Sequence, residues 1–246
     1  MNMTTSIRQK LSKVSTHNNQ LKFLHDEYKP ISVDIGQVNR LDDYNEFGRY
    51  YQTPHGNFPS VTTAIGVITD KSFLVRWRER VGDAEADRIS RIARLYGNRV
   101  HETIEKSAQN IPFKLPTQYR AIPKLINRYL KGRITDISLI ETFLYSKSIK
   151  LAGTVDCFAK WDGEWAIIDW KTSRNEKKRE YIDNYFIQGF FYACMVKECL
   201  NIHVKKLVVP IFYLDQSEAD IFVESIERVQ PIALNAYKQI KQAMKL

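Results

Sequence analysis

Asp156, Asp169 and Lys171 are the residues of this chain best placed to act together chemically. They lie in GTVDCFAKWDGEWAIIDWKTS, residues 153–173, on either side of Asp162-Gly163. An Asp-Gly pair favours a two-residue type I′ hairpin turn, because both central positions need positive φ. A turn there pairs Trp161 with Glu164, and counting outward sets Asp156 across from Asp169, with Cβ atoms roughly 4.5–5.5 Å apart. Lys171, two residues beyond Asp169, points to the same side of its strand, and Trp170 between them points to the other. Two carboxylates that close bind a cation, and an ammonium beside them completes what a metal-dependent phosphodiesterase needs.

The competing reading is a solvated Asp/Lys pair near strand ends. Against it, the run Trp165-Ala166-Ile167-Ile168-Asp169-Trp170 is almost continuously apolar, which predicts burial on both faces, where an unpaired carboxylate is costly. Two facing aspartates also repel unless a metal or another cation neutralises them.

The G-T-V-D and I-D-W-K-T-S segments together resemble the PD-(D/E)XK nucleases, in particular their RecB-type exonuclease branch. Gly97-Asn98-Arg99-Val100-His101-Glu102-Thr103-Ile104-Glu105 matches the branch's upstream G-x-x-x-H-x-x-x-E helix, with His101 and Glu105 on one face. Tyr185-Phe186-Ile187-Gln188 matches its downstream Y-x-x-Q element, and Glu141 falls on a strand-like stretch where relatives carry a glutamate at the edge of the site. The resemblance implies that His101, Asp156, Asp169 and the Trp170 carbonyl hold one or two ions, with Glu105 turned toward His101 or the basic site. It further implies that Lys171 orients or deprotonates the attacking water, that Gln188 helps place the phosphate or that water, and that cleavage leaves a 5′-phosphate. Hard oxygen ligands favour Mg²⁺ or Mn²⁺ over zinc, and one imidazole tilts the choice slightly toward Mn²⁺.

Phe58-Pro59-Ser60-Val61-Thr62-Thr63 and Leu74-Val75-Arg76-Trp77 extend the resemblance to the mitochondrial genome maintenance exonucleases and their phage relatives, over residues 49–225. This implies a single-stranded DNA substrate and makes Ser60 and Thr62 candidate phosphate contacts; the alternative is an N-cap or turn role for small hydroxyl residues. Tyr50, Tyr51 and Phe58 could stack on bases or pack in the core. Arg88, Arg91 and Arg94, three residues apart in a stretch predicted helical over 70–109, form a strip suited to tracking a phosphate backbone, with Tyr185 a further substrate contact.

To position these groups the sequence offers a hairpin or loop over 44–58 and a helix over 117–132 that Pro123 bends or delays. Strands are expected at 137–146, 150–161, 164–172, 207–213 and 221–223, and helices at 179–200 and 225–244. Pro210 points to an edge or a bulge for its strand. The expected architecture is one α/β domain, residues 26–246, following a flexible basic arm, residues 1–25. Its core is restriction-endonuclease-like, a central mixed β-sheet flanked by helices, with a helical N-terminal elaboration.

Whole-chain properties agree. A length of 246 residues suits one elaborated domain, and 37 basic against 28 acidic residues, net +9, suit a partner bearing phosphates. No run approaches the ~20 apolar residues of a membrane span. Three cysteines without a C-x-x-C pair point to a reducing, intracellular compartment and are too few for a four-cysteine iron–sulfur cluster. The cytoplasm of a bacterial or phage-infected cell is the default, and import into a mitochondrion, directed by the basic arm, is the alternative. There is no phosphate-binding G-x-x-x-x-G-K-[ST] loop, so no nucleotide cofactor is expected and any helicase motor comes from another chain. The function expected is a metal-dependent exonuclease acting on single-stranded DNA ends or flaps in replication, recombination or repair. The alternatives are a nuclease subunit that needs a helicase or recombination partner, and a catalytically silent DNA-binding protein. A silent binder has no physical reason to keep two mutually repelling carboxylates.

Overall fold

The computed structural model describes residues 28, 30–214 and 218–246; the arm expected over residues 1–25 lies outside them. Strands β1 (Asn39–Asn45), β2 (Gly48–Thr53) and β3 (Gly56–Pro59) form an antiparallel sheet, more than the single hairpin or loop expected there. Helices α1 (Val61–Ile68), α2 (Ser72–Val81), α3 (Asp83–Ala108) and α4 (Ile122–Leu130) follow. Then come β4 (Ile134–Ser146), β5 (Leu151–Trp161), β6 (Glu164–Ile168), β7 (Lys171–Ser173), α5 (Asp183–Leu200), β8 (Lys206–Tyr213), β9 (Ala219–Ser225) and α6 (Ile226–Met244).

Strands β4 to β9 build the mixed central sheet, antiparallel except where β8 runs parallel to β6 and β7. Both of its faces are covered. Phe158, Ile167, Phe186, Phe191 and Val229 belong to the core on the side of α1, α5 and α6, whereas Val100, Ile126, Trp161, Ile168 and Trp170 belong to the core under α3 and α4. This explains why β5 and β8 read as near-continuous apolar runs instead of alternating ones.

The hairpin has the register read from Asp162-Gly163: Trp161 pairs with Glu164 and Cys157 with Ile168. Asp162 and Gly163 both have positive φ, 47° and 84°, as a type I′ turn requires, and Arg133 clamps the Asp162 carboxylate at 2.6 and 3.1 Å. The strand expected to run to residue 172 nevertheless breaks after Ile168 and resumes at Lys171. Its parallel partner causes the break. Asp169 N–H donates to the Val208 carbonyl at 2.9 Å, and in the alternation of a parallel ladder the next donor on β8 is residue 210, a proline with no N–H. Pro210 is therefore not at an edge: β8 is an inner strand, with β6 and β7 on one side and β9 on the other. The proline is tolerated there because the ladder lapses opposite Asp169 and Trp170.

Other punctuation acts locally. Gly82, with φ 84°, splits the helical stretch over 70–109 into α2 and α3. Pro123 lies in the first turn of α4, so the helix expected over 117–132 starts late instead of bending. Tyr50, Tyr51 and Phe58 are all buried, so they pack in the core and are not exposed for stacking on bases.

Ser60 is the N-cap of α1: its hydroxyl accepts from Thr63 N–H at 3.0 Å and is 3% exposed, whereas Thr62 beside it is exposed. The cap engages the Ser60 hydroxyl. Ser60→Ala is expected to lower stability by about 1 kcal/mol in chemical denaturation and to leave the salt dependence of DNA binding unchanged; a shallower salt slope would restore Ser60 as a backbone contact.

Candidate active site

The lapse in the ladder creates the site. Trp170 N–H, without a strand partner, donates to Asp156 Oδ2 at 2.9 Å, and the Trp170 carbonyl accepts from His101 Nε2 at 3.0 Å. His101 reaches it because Gly97, one turn earlier on α3, lets the helix close on β7: a Cβ at Gly97 would stand 3.2 Å from Thr172 Oγ1. The other ring nitrogen of His101, Nδ1, lies 3.1 Å from Glu141 Oε1 and 3.7 Å from Asp156 Oδ2. With a carbonyl on one side and carboxylates on the other, both nitrogens donate and the ring is cationic. Burial alone would lower the His101 pKa, but Glu141 and Asp156 outweigh it and raise the value to about 9.

Glu141 occupies β4 between the pairs Ile140–Cys157 and Thr142–Val155, which sets it across from Asp156. Its φ of 42° is unusual inside a strand for a residue with a side chain, a local strain of the kind that collects at functional sites. Asp156 is 8% exposed, and burial first, then the charge of Asp169, raises its pKa to about 7.

Asp169 is 2% exposed and is held from two sides. Gln188 Nε2, on α5, donates to Oδ1 at 2.8 Å, and the Lys171 ammonium makes an ion pair with Oδ2 that lacks well-angled hydrogen-bond geometry. Burial disfavours the Lys171 cation, but Asp169 and Asp156 more than compensate, so its pKa is raised and the residue is charged. The Tyr185 ring, 5.3 Å from Lys171 Nζ, braces the ammonium from its other side. The Tyr192 hydroxyl lies beside the Gln188 side chain.

Three carboxylates and an imidazole thus converge from α3, β4, β5 and the β6–β7 break. Among the described residues the group that could hold a metal ion is His101, Glu141 and Asp156, whose ligand atoms lie within 4.8 Å of one another. An imidazole nitrogen with hard carboxylate oxygens suits Mg²⁺ or Mn²⁺ once the ligating nitrogen of His101 gives up its proton, as a ligand nitrogen must. Glu141 is thus more central than the edge position expected of it, and Asp169 and Trp170 adjoin the trio.

A model of the PD-(D/E)XK nuclease superfamily matches residues 72–245. The chain belongs to this superfamily. Among curated proteins, this chain is 28% identical over 142 residues to mitochondrial genome maintenance exonuclease 1 of Mus musculus, a match covering 53% of this chain and 40% of that protein. It is 32% identical over 98 residues to an ATP-dependent helicase/nuclease subunit of Clostridium botulinum, covering 40% of this chain and 8% of that protein. The chain therefore spans less than half the length of either relative. A crystal structure from Eubacterium rectale, of a protein provisionally called an exonuclease, aligns with a TM-score of 0.38 and 15% identity over 62% of this chain and 67% of that one.

The remaining residues singled out in the sequence divide by position. Arg94 lines the same cleft as His101 and Glu141, as does Glu105. Burial, then Glu141, raises the Glu105 pKa. Arg91 is exposed one turn back along α3, and Arg88, a further turn away, is held by Glu85 at 2.7 Å through two of its nitrogens. Ser60 and Thr62 belong to the start of α1. Tyr192 escaped the sequence reading: no motif marks it, and its place beside Gln188 follows from α5 packing over β5.

Proposed function

We propose that this chain is a divalent-metal-dependent DNA exonuclease acting on single-stranded ends or flaps. The observation that carries this reading is the convergence of His101, Glu141 and Asp156 beside the Asp169–Lys171–Gln188 network. His101, Glu141 and Asp156, with the Asp169 carboxylate and Trp170 carbonyl adjoining, would hold Mg²⁺ or Mn²⁺. Such an ion, when bound, polarises the scissile phosphate and activates water.

The protein's own groups account for the rest. Lys171, charged and fixed between Asp169 and Tyr185, faces the phosphate as a cation and stabilises the charge that builds on its oxygens. In that state it orients water and does not accept the water's proton. Gln188 holds Asp169 so that its carboxylate keeps one orientation. Arg94 at the cleft mouth, with Arg91 behind it, draws the phosphate backbone toward the site, and a net charge of +9 makes that attraction dependent on salt. By likeness to the mouse enzyme, whose name places it in genome maintenance, the reading extends to DNA replication, recombination or repair; the PD-(D/E)XK resemblance extends it to a product with a 5′-phosphate.

A second reading, a nuclease subunit that works with a separate helicase, is supported by the likeness to the clostridial helicase/nuclease protein. Weak activity alone and strong stimulation by a helicase partner would favour it. No helix among the described residues is long and apolar enough to cross a membrane.

The test is digestion of end-labelled linear single-stranded DNA beside a circular single strand and a blunt duplex, with Mg²⁺ and with EDTA. Loss of only the linear strand, only with Mg²⁺, is expected. Cutting of the circle would make the enzyme an endonuclease, and cleavage that survives EDTA would remove the metal.

A further inference from the structure

A pocket of about 550 Å³ adjoins the cleft on the other side of α3, and nothing in the reaction described above uses it. The two hollows share Ala93, and β7 connects them: Thr172 lines the cleft, and Arg174, just past the end of β7, lines the pocket. Ile92, Leu95, Tyr119 and Leu214 make its walls largely apolar, and Ile92 and Leu95 are 44% and 50% exposed, large aliphatic side chains left facing solvent beside a catalytic cleft. Arg174 and the Glu85-paired Arg88 stand among these walls, and Gln118 adds an amide. From Arg88 at the pocket to Arg94 at the cleft, the arginine strip of α3 joins the two.

We infer that this pocket binds an unpaired nucleobase of the strand being cleaved, with Arg174 on an adjoining phosphate. The inference rests on the nuclease reading and names the substrate feature that the site selects. Apolar and aromatic walls accept the face of any base, so the pocket would be indifferent to sequence, and cations at its rim match a phosphate-bearing ligand and not an apolar peptide. A base held in a duplex is stacked and paired and would have to be pulled out at a cost of a few kcal/mol. The pocket would therefore be one source of a preference for single strands. From His101 to Ala93 is 8 residues of helix, ~12 Å. At ~3.4 Å per nucleotide of stacked strand, the captured base would lie within about four nucleotides of the scissile phosphate.

The test is a set of single-stranded oligonucleotides, each carrying one abasic nucleotide at a successive position from the end, digested by the full chain with Mg²⁺. One or two abasic positions are expected to slow cleavage of a nearby bond about tenfold, and the others to have no effect. Ile92→Glu, which places a carboxylate on an already exposed position, and Arg174→Gln should each slow the intact strand and should weaken the abasic effect. A flat abasic profile on a strand that the protein cleaves would overturn the pocket and leave the nuclease standing. If Ile92→Glu slowed cleavage while the profile stayed flat, the occupant would be a protein segment and the inference would again fail. No cleavage of any strand by the wild-type chain, alone or with a helicase partner, would sink the nuclease reading and the pocket with it.

Discussion

Asp169→Asn is expected to lower cleavage of single-stranded DNA by about a thousandfold or more while DNA affinity stays the same or rises. The asparagine fits the same space but cannot serve both neighbours. Asp169 accepts from Gln188 on one oxygen and faces the Lys171 ammonium with the other, and an amide puts an N–H donor against one of these two donors whichever way it turns. Lys171 then loses the carboxylate that fixes it, and the metal site loses a neighbouring charge. Binding is spared because Asp169 is 2% exposed and offers DNA no surface, and removing a negative charge beneath the phosphate favours association. Gel digestion beside fluorescence anisotropy of a labelled strand measures the two effects separately. A variant that keeps more than a few per cent of wild-type turnover would place Asp169 outside the reaction.

The residues that carry this prediction could be read from the sequence because their geometry is local. Asp162-Gly163 fixes a turn and the turn fixes a register, paired as far as Cys157–Ile168, which brings Asp156 and Asp169 to the same end of the hairpin without any knowledge of the rest of the chain, with Lys171 just past the break. What breaks the hairpin strand could not be read, because its cause lies forty residues on. Pro210 announces a defect in a ladder, but the sequence does not say which neighbour suffers it. The parallel partner does, and the freed backbone of Trp170 becomes part of the site. Glu141 was visible as a glutamate on a strand, but its move to the centre of the site depends on a left-handed φ and on β4 pairing with β5, both properties of the assembled sheet. Tyr50, Tyr51 and Phe58 show the opposite limit: aromatic character alone does not separate a base-stacking surface from a core, and the short antiparallel sheet that buries them decided it.

The glycine of the G-T-V-D segment has a physical cause of its own. Gly153 lies in β5 beneath Tyr192 of α5, and a Cβ there would fall 2.8 Å from the tyrosine oxygen and 3.2 Å from the ring. Tyr192 is 3% exposed, so its ring has little free space to move into, and its hydroxyl lies beside the Gln188 side chain that donates to Asp169. Gly153→Ala is therefore expected to destabilise the protein by about 1–3 kcal/mol, a drop of roughly 3–10 °C in Tm for a chain of this size. It should also slow cleavage by about ten- to a hundredfold as Gln188 shifts from Asp169. Packing and positioning separate in a second step. Adding Tyr192→Phe removes the oxygen that the methyl strikes, so the double variant should recover most of the lost Tm. It should not recover turnover if the hydroxyl beside Gln188 helps keep its amide on Asp169. If the double variant regained activity along with stability, Tyr192 would be a packing residue only; if Gly153→Ala melted and cut like the wild type, the close approach of α5 to β5 would not be what requires glycine there.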